Sequence, residues 1–189
     1  MNRGAATSFV FESGEAYSAL KLRGVQLNGP RLHRVELTSS ALIDCDLSNT
    51  EWDACLLDGV RLERCKLTGA RFSQVRARGV TMTNCQGRYV QFDRCRFSQA
   101  RLDGCQLEES SFLESRFDGA IVSSCRLRGS VLSGCDFRGA DLRGSNLGSV
   151  RTSILELQHA LLDPEQAAAL LLAEAGIRVL PPGANPDQG

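Results

Sequence analysis

A large apolar residue recurs at every fifth position between residues 20 and 150. The series begins at Leu22 and ends at Leu147, and only Ala77 and Gly87 among its 26 positions lack a large apolar side chain. The residue two places before each of these positions is small in most units. No insertion interrupts the register, and a period held over so many units indicates a repeat architecture.

A period of five fits neither a regular helix nor a flat strand. A helix turns by about 100° per residue, so residues five apart would not form one apolar stripe. In a flat strand, an odd period would place successive large residues on opposite faces. The conflict disappears if the chain turns a corner in every unit. Eleven of the 18 glycines lie two places after the central position of a unit, where such a corner needs positive φ. The sequence therefore predicts an all-β solenoid.

The units themselves resemble those of the pentapeptide-repeat proteins. The motif of that family is a small residue, a polar residue, Leu or Phe, and two variable residues. Segments 140–144 (ADLRG) and 100–104 (ARLDG) follow it closely, and the resemblance covers about 130 of the 189 residues. It implies a right-handed quadrilateral β-helix in which four successive repeats form one coil.

Composition and pattern divide the chain into four segments. Residues 1–19 precede the strict repeat and are predicted to cap the N-terminal coil. Residues 20–153 form the β-helix, and residues 154–180 form a C-terminal capping and dimerisation segment. Residues 181–189 read as a flexible polar tail.

The C-terminal segment is predicted to contain a short α-helix and a short strand. Asp163 is a suitable N-cap, Pro164 a suitable first helical residue, and Gln166 completes a capping box. Gly176 is a suitable C-cap. Residues 177–180 (IRVL) then alternate like a strand.

All eight cysteines occupy the small inward position of a unit. Zinc sites need cysteines two to four residues apart, whereas these are at least ten apart. We therefore expect buried, reduced thiols that pack as small hydrophobic groups, with no metal and no cofactor.

No catalytic motif stands out, and we expect a protein that is not an enzyme. The two histidines, His33 and His159, lie at opposite ends of the chain, and no phosphate-binding or dinucleotide-binding loop is present. A solenoid with a filled interior offers no substrate cleft. The N-terminus lacks a signal-peptide pattern and no long apolar run occurs, so we expect a cytoplasmic protein without membrane attachment.

Charge is segregated along the chain although the formal net charge is zero. Residues 61–105 carry ten basic and three acidic residues. This basic zone lacks the interleaved aromatic residues that stack on bases, so direct nucleic-acid binding is not expected. The preceding acidic belt is a candidate partner-binding surface that could imitate nucleic-acid phosphates. Its members are Glu36, Asp44, Asp46, Glu51, Asp53 and Asp58.

The last segment is more apolar than capping alone requires, which favours a two-fold contact between chains. The candidate dimer interface consists of Leu170, Leu171, Leu172, Ile177, Val179 and Leu180.

The ending from Asp163 to Leu180 also resembles that of the topoisomerase-protecting pentapeptide-repeat proteins, of the quinolone-resistance and albicidin-resistance type. The resemblance implies a rod-like homodimer that binds DNA gyrase or topoisomerase IV, imitates a DNA duplex and protects the enzyme from antibiotics. Two alternatives remain open. One is a cytosolic scaffold or protein-interaction module of unknown partner, and the other is a rod that binds nucleic acid through its basic zone.

Overall fold

The protein forms a parallel β-solenoid that ends in one short α-helix. The computed structural model describes residues 9–27 and 29–180. The predicted tail 181–189 and the first eight residues of the predicted N-terminal cap lie outside the described residues.

Every described strand is three residues long, with an inward-facing central residue. The strands are β1 Ala16–Ser18, β2 Lys21–Arg23, β3 Arg31–His33, β4 Glu36–Thr38, β5 Ala41–Ile43, β6 Glu51–Asp53, β7 Leu56–Asp58, β8 Arg61–Glu63, β9 Arg71–Ser73, β10 Arg76–Arg78, β11 Thr81–Thr83, β12 Gln91–Asp93, β13 Arg96–Ser98, β14 Arg101–Asp103 and β15 Ile121–Ser123. A 3₁₀ helix, Ile154–Leu157, and helix α1, Pro164–Ala175, follow.

Strands pair with those one coil away, which confirms four repeats per coil. Leu37 pairs with Leu57, and Leu57 with Ala77, so the register shift equals four repeats. Three faces of the rod are parallel sheets with the orders β1-β4-β7-β10-β13, β2-β5-β8-β11-β14-β15 and β3-β6-β9-β12. The fourth face is held by single bridges that run from Gln26 to Asn146, one in each coil. We call these the first, second, third and fourth faces.

The backbone turns each corner through a left-handed residue, whether or not that residue is glycine. Gly79 has φ +58° and Arg94 has φ +51° at equivalent corners. A side chain in this conformation costs about 1–2 kcal/mol relative to glycine. The corners therefore follow from the coil geometry, and glycine relieves strain at them without being required.

The interior is filled by stacked side chains. Trp52, Phe72, Phe92 and Phe112 form one aromatic column, with ring centroids 5.1–5.9 Å apart. A second column runs from Phe97 through Phe117 to Phe137 at 5.0 Å spacing. The backbone pairing between coils continues through the two units that lack a large residue, since Ala77 pairs on both sides and Gln86, next to Gly87, bridges on both sides. At Gly87, a Cβ would lie 2.8 Å from Leu107 Cδ2, because Leu107 fills that space.

The eight cysteines are buried and unpaired, as predicted. Cys65 Sγ donates to Leu42 O at 3.2 Å, and Ser110 Oγ makes the equivalent bond to Gly87 O at 2.9 Å. Thiols and hydroxyls thus satisfy carbonyl groups of the neighbouring coil from the same inward position. Burial raises the pKa of Cys95 and of Cys135 to about 12, so both thiols are protonated at neutral pH.

Two details differ from the sequence-based expectations. The pairing of strands between coils begins before residue 20, the predicted start of the β-helix, because Tyr17 in β1 pairs with Leu37. The predicted strand over 177–180 is wrong, since these residues form no strand in the structure. An alternating pattern becomes a strand only where a neighbouring backbone is available, and one chain does not supply it there.

We expect Leu67→Ala to lower the free energy of unfolding by about 2–5 kcal/mol, because the truncation leaves a cavity beneath the fourth face. Leu67 is fully buried. Chemical denaturation followed by circular dichroism would measure the change. The control is Leu113→Ala, an outward-facing residue that is 41% exposed, which should change stability by less than about 1 kcal/mol. Equal losses would contradict the inward assignment.

Candidate interaction surfaces

The acidic belt surrounds the rod instead of lining one side. Glu36 and Asp58 lie on the first face, in β4 and β7. Asp44 lies at the corner after β5. Asp46 lies on the fourth face, while Glu51 and Asp53 both lie on the third face, in β6. The coil therefore distributes six neighbouring acids over its whole circumference.

Half of the belt is paired with side chains from adjoining coils. Asp44 contacts Arg23 at 2.9 Å and Arg64 at 2.7 Å. The hydrogen bond from Arg64 holds the pKa of Asp44 below its usual value, as does the charge of both arginines. Both arginines come from rungs next to the aspartate, because equivalent residues of successive coils stack along the rod.

The two acids of β6 are partnered in the same way. Glu51 forms an ion pair with Arg31 at 2.8 Å, and the Asp53 carboxylate lies 2.9 Å from His33 Nδ1. Within the described chain, Glu36, Asp46 and Asp58 have no ion pair. Glu36 and Asp58 lie on neighbouring rungs of the first face, since Glu36 pairs with Leu56 and Thr38 with Asp58. Of the six belt residues, these two share one face and have no ion pair within the described chain.

Helix α1 closes the C-terminal end of the rod. The Asp163 carboxylate accepts from Gln166 N at 2.9 Å, and Gln166 Oε1 accepts from Asp163 N at 2.8 Å, which is the predicted capping box. Gln166 is buried, and its Nε2 also donates to Leu142 O at 2.8 Å and Ser145 O at 2.7 Å. The capping residue thus fastens the helix to the last coil, a role that the sequence pattern did not indicate.

The candidate dimer residues divide into an inner and an outer group. Leu170 is 7% exposed and packs into the protein's own core, so it is not available to a second chain. A capping helix needs one buried anchor, and Leu170 provides it. Leu171 is half-buried. The other four are exposed by 42–56% and form what we call the C-terminal apolar patch: Leu172, Ile177, Val179 and Leu180.

Two further exposed leucines lie close to this end in sequence. Leu155, in the 3₁₀ helix, is 78% exposed, and Leu161, which bridges to Asp141 on the second face, is 52% exposed. They were missed from the sequence because the repeat continues past residue 153. Leu161 occupies the outward position before a central residue, which the five-residue pattern could have revealed.

A polar groove of about 900 Å³ runs along the fourth face and was also not anticipated. Gln86, Gln106 and Asn146 contribute amides, while Arg88 pairs with Glu109 across it. The lining also holds Arg126, 4.0 Å from Glu108, and Arg128, which has no ion pair within the described chain.

The described chain offers no metal-binding cluster of His, Cys, Asp or Glu side chains. Neither of its two helices has the length and apolar character needed to cross a bilayer.

Comparison with known proteins agrees with this repeat geometry. Residues 57–120 match the family model described as a pentapeptide repeat region, and residues 114–148 match the model for pentapeptide repeats in eight copies. None of the curated proteins matches the chain significantly.

Several solved structures are similar in pattern. One is a trypsin-treated variant of QnrB1, a plasmid-mediated fluoroquinolone resistance protein, with 25% identity over 88% of this chain and 100% of that chain (TM-score 0.38). A second QnrB1 variant shows 22% identity over 89% and 93% of the two chains (TM-score 0.40). HetL from the cyanobacterium Nostoc sp. strain PCC 7120, a pentapeptide-repeat protein involved in heterocyst differentiation regulation, shows 17% identity over 79% and 90% (TM-score 0.22).

We expect Gln166→Ala to detach helix α1 from the last coil. The change leaves the carbonyls of Leu142 and Ser145 without their donor, which costs about 1–3 kcal/mol. Hydrogen exchange should become faster across residues 164–175 and stay unchanged in β6 to β9. Gln106→Ala, on the outer surface, is the control and should leave exchange unaltered. Unchanged protection of the helix in Gln166→Ala would contradict the docking role.

Proposed function

This chain belongs to the pentapeptide-repeat family, and on that premise we propose that it is a non-enzymatic homodimer that binds DNA gyrase or topoisomerase IV and protects it from topoisomerase-targeting antibiotics. The C-terminal end carries the proposal. There, a helix already anchored by Gln166 and Leu170 leaves a second apolar surface without a partner.

The C-terminal apolar patch supports association of two chains end to end. Leu172, Ile177, Val179 and Leu180 are large, exposed and close to one another in the sequence. Residues 177–180 belong to no strand of their own chain, and their alternating sequence suits pairing with the same segment of a second copy. A two-fold contact brings identical surfaces together, which suits a short apolar segment at the end of a rod.

Such a dimer would place the acidic belt near both distal ends. The belt lies in the N-terminal coils, and α1 closes the opposite end. We propose that the rod acts as a DNA-duplex mimic through the unpaired acids of the belt, Glu36, Asp46 and Asp58. Carboxylates that already have a partner attract a basic protein less strongly, so Asp44 and Glu51, held by arginines, and Asp53, beside His33, contribute less.

A protein-interaction scaffold with another partner is the alternative. The closed interior and the paired polar surface suit it equally, and it needs no acidic contact. The experiments below separate the two functions.

For the dimer, we expect wild-type protein to sediment as two chains and the double variant Leu172→Glu with Val179→Glu to sediment as one. Charges placed in an apolar contact lose their hydration without gaining a partner. The control is Val10→Glu with Leu113→Glu, which alters exposed apolar residues far from the C-terminus and should remain dimeric. Analytical ultracentrifugation at several concentrations would decide. A monomeric wild-type protein at all concentrations would refute the dimer.

For the topoisomerase, we expect the wild-type protein to preserve gyrase or topoisomerase IV activity in the presence of a quinolone or an albicidin-like inhibitor. The double variant Glu36→Lys with Asp58→Lys should bind the enzyme at least about tenfold more weakly, because like charges brought together cost several kcal/mol.

The matched control reverses Glu114 and Glu165, two exposed acids without ion pairs in the described chain, and should still protect. Supercoiling and decatenation assays with titrated protein measure protection, and surface plasmon resonance measures binding. If wild-type protein neither binds nor protects either enzyme, the scaffold alternative replaces this function. Protection by the double variant would exclude mimicry through the first face.

A further inference from the structure

The fold stacks three arginines in one column of the first face. Arg76 pairs with Arg96 in adjacent strands β10 and β13, and Arg96 bridges to Arg116 on the next rung. Adjacent rungs are about 4.8 Å apart, so the three side chains leave the surface within about 10 Å along the rod. We call this column the arginine ladder.

Two members of the ladder have no counterion from the described chain. Arg116 contacts Asp118 at 3.5 Å and Asp136 at 3.7 Å. Arg76 and Arg96 are exposed and make no ion pair there. Other arginines of the rod are held by a carboxylate, as Arg143 is by Asp141 at 2.7 Å. Like charges on adjacent strands repel each other, so an unneutralised pair in register is unfavourable without a bound anion.

The ladder borders a shallow hollow lined only by cations and one amide. Gln74, Arg76, Arg94 and Arg96 form its walls, and its volume is about 480 Å³. Arg94 contacts Asp93 at 3.0 Å, but no carboxylate lines the hollow itself. An anion placed here would meet three guanidinium groups and a neutral donor.

The chemistry of these groups favours phosphate. A guanidinium presents a planar fork of donors that bonds two phosphate oxygens at once. Phosphates in one strand of a duplex follow each other about every 3.4 Å along the axis, so a ladder about 10 Å long can contact about three. The described part of the first face carries no outward aromatic residue, and Tyr89 lies beyond the fourth face beside Arg88. Recognition would therefore involve the backbone and not the bases.

We propose that the arginine ladder binds the phosphate backbone of duplex nucleic acid without regard to sequence. The surface is open and nearly flat, which suits a long polyanion that releases counterions better than a small ligand that needs enclosure. The sequence analysis did not expect the basic zone to bind nucleic acid directly. The number of basic residues is evident from the sequence, but which of them stack in one column is not.

The inference is independent of the proposed function, since its test contains no topoisomerase. Loss of DNA binding would leave antibiotic protection untouched, and loss of protection would leave DNA binding untouched.

The experiment is fluorescence anisotropy of a labelled 20-base-pair duplex of random sequence, titrated with full-length protein at several salt concentrations. Arg76→Gln with Arg96→Gln is the test variant. The control is Arg61→Gln with Arg101→Gln, which removes the same charge from the outward column of the second face. There Thr81 lies between the two arginines, so they do not stack on adjacent rungs. Circular dichroism would confirm that both variants are folded.

We expect the test variant to bind the duplex about tenfold more weakly than wild type and to lower the salt slope by about 2, one for each lost phosphate contact. The control should stay within about twofold of wild type. Equal losses in the two variants would show a general charge effect and overturn the proposal. So would an absence of binding by wild type at low salt, or displacement of the duplex by polyglutamate as readily as by unlabelled duplex.

Discussion

The backbone ladder between coils is the interaction on which the rest of the structure depends. Each unit supplies a few hydrogen bonds to the equivalent units of the coil before it and the coil after it. Parallel strands in register place every residue directly over its equivalent in the next coil. That register forces inward positions to match in size along a column, which is why Trp52, Phe72, Phe92 and Phe112 can stack. It also supplies the inward hydroxyls and thiols with carbonyl partners.

The same register organises the surface. A side chain on one coil meets its counterparts on the coils above and below, so ion pairs form between residues that are distant in sequence. Arg31 with Glu51 is one such pair, and Arg64 with Asp44 is another. Where two positive charges stack instead, as at Arg76 and Arg96, their electrostatic potential is not neutralised by a neighbouring carboxylate. Surface pairing of this kind adds little to stability, but it decides which charges remain available to a partner.

The ends of the rod need different solutions because a solenoid would otherwise present open edges. At the C-terminal end, α1 supplies a buried leucine and a glutamine that bonds two carbonyl groups of the last coil. The segment after the helix is not used in this way. Its apolar side chains Ile177, Val179 and Leu180 remain exposed, so the residues that close the rod are different from those available to a second chain.

The sequence alone determined the solenoid, its inward positions, the buried thiols and the boundaries of α1, because each depends on local periodicity or on capping residues a few positions apart. The family resemblance added the number of units per coil, and with it the column in which any residue stacks. Only the tertiary structure decided which charges meet. Glu51 gains Arg31, whereas Glu36 and Asp58 stay free, and the belt encircles the rod because successive units face different directions. It also placed Leu170 in the core and left 177–180 without a strand, since burial and pairing depend on neighbours that a linear pattern does not contain.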